Sequence, residues 1–155
     1  MKSVSSPAER TPSAKVLLVD GNQHGLMARG MILREQGYTV ETVSNGEDAW
    51  ELIQQTHFDV LITAYGMKGM CGGDLIAKMH TAGVAARVIL LMTHAEALSL
   101  DADLIGADET ISKSNREVAE LLRAVKRLAE DRPKRRPAMR QKTGKRPAAR
   151  KASGG

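Results

Sequence analysis

Four scarcities bound this 155-residue chain. Cys71 is its only cysteine, so no internal disulfide can form, and a reducing, cytoplasmic setting is the expectation. Aromatic residues make up 3% of the sequence, too few for stacking platforms that read single-stranded bases. The longest unbroken apolar run is VILLM, residues 88–92, far short of a bilayer span. The opening stretch MKSVSSPAERTPSA has no apolar core of the kind a secretory signal needs, so neither membrane nor export is expected.

The fourth scarcity is local. No Asp or Glu follows Asp131, whereas ten basic residues do: Arg132, Lys134, Arg135, Arg136, Arg140, Lys142, Lys145, Arg146, Arg150 and Lys151. The net charge of +5 therefore conceals two unlike parts. Residues 1–131 carry 13 Lys and Arg against 18 Asp and Glu, a net −5. Three prolines among the ten positive charges argue against a helix or core past Arg132. Three segments follow: a disordered 1–14, a folded 15–131 and a disordered basic tail, 132–155.

What is present is a regular alternation. KVLLVD (15–20) is a near-continuous apolar run ending on an acid, as a strand buried on both faces would be. A helical pattern runs from about Asn22 to Gln36, with Gly25 and Gly30 each weakening it by roughly 1 kcal/mol relative to alanine. Gly37 stands where a left-handed cap is wanted. YTVETV (38–43) reads as a second strand. Ser44 and Glu47 have the spacing of a capping box for the next helix, with Ala49, Leu52 and Ile53 facing inward. FDVLITA (58–64), RVILLM (87–92) and ADETIS (107–112) are three further strands, the last polar enough for an edge. A helix near 74–81 and a weakly patterned segment with Leu98, Leu104 and Ile105 separate them. Ser114 and Glu117 suggest another capping box, ahead of Val118, Leu121, Leu122, Val125 and Leu128 on one helical face. The alternation predicts an α/β fold with a parallel sheet covered on both sides and right-handed crossovers.

The segments VLLVDGN, NGEDAWELI, FDVLITAYGMKGMCGG, RVILLMT and GADETISKS, in that order, make residues 15–129 resemble the receiver domain of bacterial response regulators. The resemblance implies a (βα)5 doubly wound, flavodoxin-like sheet of order 2-1-3-4-5, with its site at the carboxyl ends of the strands. Receivers hold Mg²⁺ with two acids after strand one and phosphorylate an aspartate ending strand three. A hydroxyl after strand four and a lysine before the last helix then grip the phosphoryl oxygens. Here Asp20 matches the first acid, Gly21 stands in place of the second, Thr93 matches the hydroxyl and Lys113 the lysine. Ala64 stands at the acceptor position, a register anchored by Asp59 before it and Gly72 after it. Methyl has no carboxylate to attack phosphorus. Asp20 alone is a poor ligand for an ion that wants several oxygens. Lys68, His94, Thr110 and Ser114 also depart from the pattern.

The resemblance thus implies a pseudo-receiver: not an enzyme, with no resident metal or cofactor, regulating through contacts with a protein partner. Asp20 and Lys113 are expected to pair where the metal would sit, and Thr93 either to satisfy a backbone group at a strand end or to touch a ligand. Cys71 reads as an inert thiol. The four histidines lack ligand spacing, and Met27, Met31, Met67, Met70, Met79 and Met92 read as core. The tail suits sequence-independent binding to DNA or RNA backbone, since Lys and Arg release counterions from phosphates. An acidic protein partner, intramolecular docking or a merely solvated tail remain alternatives, and the first would make the protein a pure interaction adaptor. Oligomeric state is left open.

Overall fold

A computed structural model describes residues 13–130. Five parallel strands, β1 (Lys15–Val19), β2 (Thr39–Val43), β3 (Val60–Ala64), β4 (Arg87–Met92) and β5 (Glu109–Ser112), form one sheet in the order β2-β1-β3-β4-β5. The expected 2-1-3-4-5 order is therefore observed, with β2 and the polar β5 at the edges. β1, β3 and β4 are almost wholly buried, which is why they read as continuous apolar runs rather than as alternations.

Alternate residues feed two cores. Val16, Leu18, Val60, Ile62, Ile89 and Leu91 face α1 (Gln23–Glu35) and α6 (Glu117–Glu130). Leu17, Val19, Leu61, Val88, Leu90 and Met92 face the other layer, which contains α2 (Gly46–Gln55) and α3 (Gly72–Ala82). Between β4 and β5 the crossover is broken into α4 (His94–Ser99) and the single turn α5 (Ala102–Ile105). The weak pattern of that segment has a physical counterpart: Leu98 and Leu104 point into solvent while Leu100 and Ile105 pack inward. Among the described residues no helix is long and apolar enough to cross a membrane.

Several local expectations change. The helix α2 is capped by Asn45, whose side chain accepts from the Asp48 amide, while Glu47 accepts from Met70 instead of closing a box with Ser44. Ser114 bonds the Arg116 amide, and Glu117 turns inward, so the box expected there is not made. A complete capping box forms at Thr93 and Glu96. Met79 and Met92 are buried and Met67 and Met70 lean on the core, but Met27 and Met31 are 63% and 58% exposed, on the outer face of α1. The inward stripe of that helix is Leu26, Arg29, Gly30 and Leu33.

A charged cluster at the carboxyl ends of the strands

Asp20 follows β1 directly and is 2% exposed. Its Oδ1 accepts from the Asn22 amide at 3.0 Å. Its Oδ2 accepts twice, from Nη1 of Arg29 at 2.9 Å and from Nζ of Lys113 at 3.2 Å. The expected Asp20–Lys113 pair is therefore present, with a second cation beside it. Arg29 also donates through Nε to Glu117 at the start of α6. One guanidinium thus bridges a carboxylate after β1 and a carboxylate on the last helix.

Helix geometry explains how Arg29 reaches so far. Long side chains on a helix lean back toward its N-terminus, over the residue four positions earlier. That residue is Gly25, and a Cβ there would lie 2.8 Å from Nη1 of Arg29. The glycine that weakens α1 by helix propensity is the one that leaves space for the guanidinium. Burial works against the charge on Arg29. The hydrogen bond and charge of Glu117, joined by the charge of Asp20, outweigh it and raise its pKa above the ordinary value. Breaking such a buried pair by removing one partner costs several kcal/mol, because a desolvated charge is left behind.

The remaining residues surround this cluster. Ala64 is the last residue of β3, 1% exposed, paired with Leu91 of β4. The loop beyond it returns so closely that a Cβ on Gly72 would lie 2.3 Å from the Ala64 carbonyl oxygen, so only glycine fits. Lys113 follows β5, its amide held by the Met92 carbonyl at 2.8 Å. Thr93 follows β4, and its hydroxyl accepts from the Glu96 amide at 3.1 Å, so it caps α4. Gly21, Lys68 and His94 are exposed near the strand ends, and Thr110 is exposed on β5. Asp59 lies before β3, at the opposite end of the sheet, where its Oδ2 accepts from the Lys15 amide. The charge of Cys71, and then burial, raise the Tyr65 pKa.

A divalent cation needs carboxylate and other oxygens with free lone pairs. Asp20 has both oxygens engaged, and two positive groups lie within hydrogen-bonding distance of one of them. As arranged, the residues do not fit Mg²⁺. Arg29 and Glu117 were not singled out for this role from the sequence. The one local hint was an arginine four residues after a glycine in a helix, Gly25 and Arg29. The ten basic residues from Arg132 to Lys151 lie outside the described residues.

Residues 16–126 match the family model described as the response regulator receiver domain. The chain belongs to that family. A nitrate/nitrite response regulator protein homolog of Haemophilus influenzae is 37% identical over 122 residues, 75% of this chain and 57% of the relative. A gliding motility regulatory protein of Myxococcus xanthus is 27% identical over 137 residues, 83% of this chain but 17% of that protein. The chain thus spans from about a sixth to just over half of these relatives. Among solved structures, the Thermotoga maritima response regulator TrrA in complex with Mg²⁺ and BeF is 28% identical, with a TM-score of 0.66, covering 74% of this chain and 98% of that one. Membership in the receiver family implies a regulatory role in two-component signalling.

Proposed function

We propose that residues 15–131 are a pseudo-receiver, a receiver that takes no phosphoryl group and regulates through a standing protein-contact surface. In this reading the tail holds the assembly on nucleic acid. The observation that carries the first part is the cluster at Asp20: a carboxylate bonded to both Arg29 and Lys113, beside a β3 that ends on Ala64. Phosphoryl transfer to an aspartate needs a carboxylate nucleophile and a metal to offset the charge of the phosphoryl oxygens. Ala64 offers no nucleophile. Arg29 and Lys113 supply fixed positive charge without the open coordination of a metal. Switching by phosphorylation is replaced by one arrangement held by ion pairs, and any change of state must come from a partner that binds two conformations unequally.

The second part rests on the ten positive charges of residues 132–151, unaccompanied by acids or aromatics. Such a segment neutralises phosphates without reading bases.

The test of the first part is incubation with a small acyl phosphate and Mg²⁺, followed by intact-mass measurement. The expected spectrum shows the unmodified chain; a stoichiometric gain of one phosphoryl group overturns the reading. For the second, affinity for random-sequence DNA should fall with salt at a slope near −0.9 per phosphate contacted. Absence of binding at low salt, with recovery of a single acidic protein by the tail after nuclease treatment, would make the chain a pure interaction adaptor instead.

A further inference from the structure

The solvent face of α6 has an unbalanced charge that the cluster at Asp20 helps to create. Leu121, Ala124, Val125 and Leu128 pack into the core. Arg116, Arg123, Lys126 and Arg127 are exposed on the outer side of the helix and the turn before it. The acids on this helix are Glu117, Glu120 and Glu130, and Glu117 is buried against Arg29. One negative charge is thereby withdrawn from the surface, leaving four cations against Glu120 and Glu130.

Two of the four cations are only loosely committed. Lys126 sits 3.9 Å from Glu130, with both side chains about 70% exposed, and Arg127 pairs with Glu109 on the edge strand β5. Exposed pairs of this kind contribute little in water and yield to a polyanion. Arg116 and Arg123 have no ion pair among the described residues. They stand seven residues apart, Arg116 in the turn before α6 and Arg123 on it, about 10 Å by helical rise, or about three phosphate steps on one DNA strand. The helix ends at Glu130, and the basic tail begins at Arg132. The cations of α6 are therefore joined by the chain itself to ten more.

We infer that the outer face of α6, through Arg116 and Arg123, is a second phosphate-contacting surface, so that nucleic acid lies along the folded domain as well as the tail. This extends the proposed function and rests on its nucleic-acid half. Its consequence is geometric. Two contacts, one on α6 and one in the turn before it, fix which face of the receiver points away from the duplex, toward partners.

The test uses the full-length chain and a random-sequence DNA duplex, with affinity measured across a salt series. Four proteins are compared: wild type, the pairs Arg116→Gln/Arg123→Gln and Arg116→Lys/Arg123→Lys, and a chain with all ten tail cations changed to Gln. Both substituted arginines are exposed, and matching thermal unfolding curves check that the fold is kept. The inference expects the Arg116→Gln/Arg123→Gln slope to be shallower by about 1.8, from about 0.9 for each lost contact. It also expects Arg116→Lys/Arg123→Lys to restore most of that slope. An unchanged slope in the glutamine pair, with binding abolished in the tail variant, overturns this inference and leaves the proposed function standing. No wild-type binding at low salt overturns both.

Discussion

Nη1 of Arg29 lies 2.9 Å from Oδ2 of Asp20, a residue nine positions earlier that directly follows β1. The arginine comes from the inward stripe of α1, the aspartate from the end of β1, and Glu117 of α6 closes the bridge from the far end of the domain.

Arg29→Ala should lower the free energy of unfolding by about 3–5 kcal/mol, the usual cost of stranding buried charge. Lys113 is more exposed, with 28% of its side chain in solvent, so Lys113→Ala should cost only about 1 kcal/mol. Urea unfolding of the two variants checks the order. A larger loss at Lys113 would mean that the lysine, not the arginine, holds Asp20.

Gly25→Ala separates helix propensity from the need for space. In an ordinary helix interior the change stabilises by about 1 kcal/mol. Here the new methyl would crowd a guanidinium held by two carboxylates, so the wild-type background should be destabilised or show no gain. In an Arg29→Ala background the same change should recover the propensity gain. The four unfolding free energies form a cycle, and equal effects of Gly25→Ala in both backgrounds would show that the glycine does not serve the arginine.

At Gly72 the obstacle is backbone, the Ala64 carbonyl, and no rotamer change relieves it. Gly72→Ala should cost about 1–3 kcal/mol as an overpacking change. A cost below a few tenths, measured by chemical denaturation, would show that the loop after β3 can retreat.

Both tyrosines have pKa values above the ordinary 10.0: Tyr38 through burial and then the charge of Glu130, Tyr65 chiefly through Cys71. A folded pKa above the unfolded one means that the contribution to stability is fully present below pH 10 and is lost as pH rises through the folded values. Ultraviolet titration of phenolate should place both native-state midpoints above the ordinary value, and stability should decline in the alkaline range. A titration midpoint at or below pH 10 for either tyrosine in the folded chain would contradict these environments.

The sheet was legible because β1, β3 and β4 are buried on both faces and leave unbroken apolar runs, while β5 carries the polarity of an edge. Asp20 and Lys113 were legible as a pair from their places after two strands. Arg29 was not, because its role depends on a side chain reaching back over Gly25 to a different element, which no periodicity announces. Glu117 was read for the local capping it could do and instead serves a partner 88 residues away. Met27 and Met31 were misplaced for a related reason. The inward stripe of α1 contains a charged residue and a glycine, so counting apolar side chains points to the wrong face.

The most direct test of the account is chemical unfolding of the wild-type chain with and without saturating Mg²⁺. A metal site filled at a hundred times its dissociation constant would stabilise the fold by about 2.7 kcal/mol. With Arg29 and Lys113 on Asp20, the two unfolding curves should coincide. A shift to higher denaturant with Mg²⁺ would mean that the ion displaces the arginine and that the site still answers to metal.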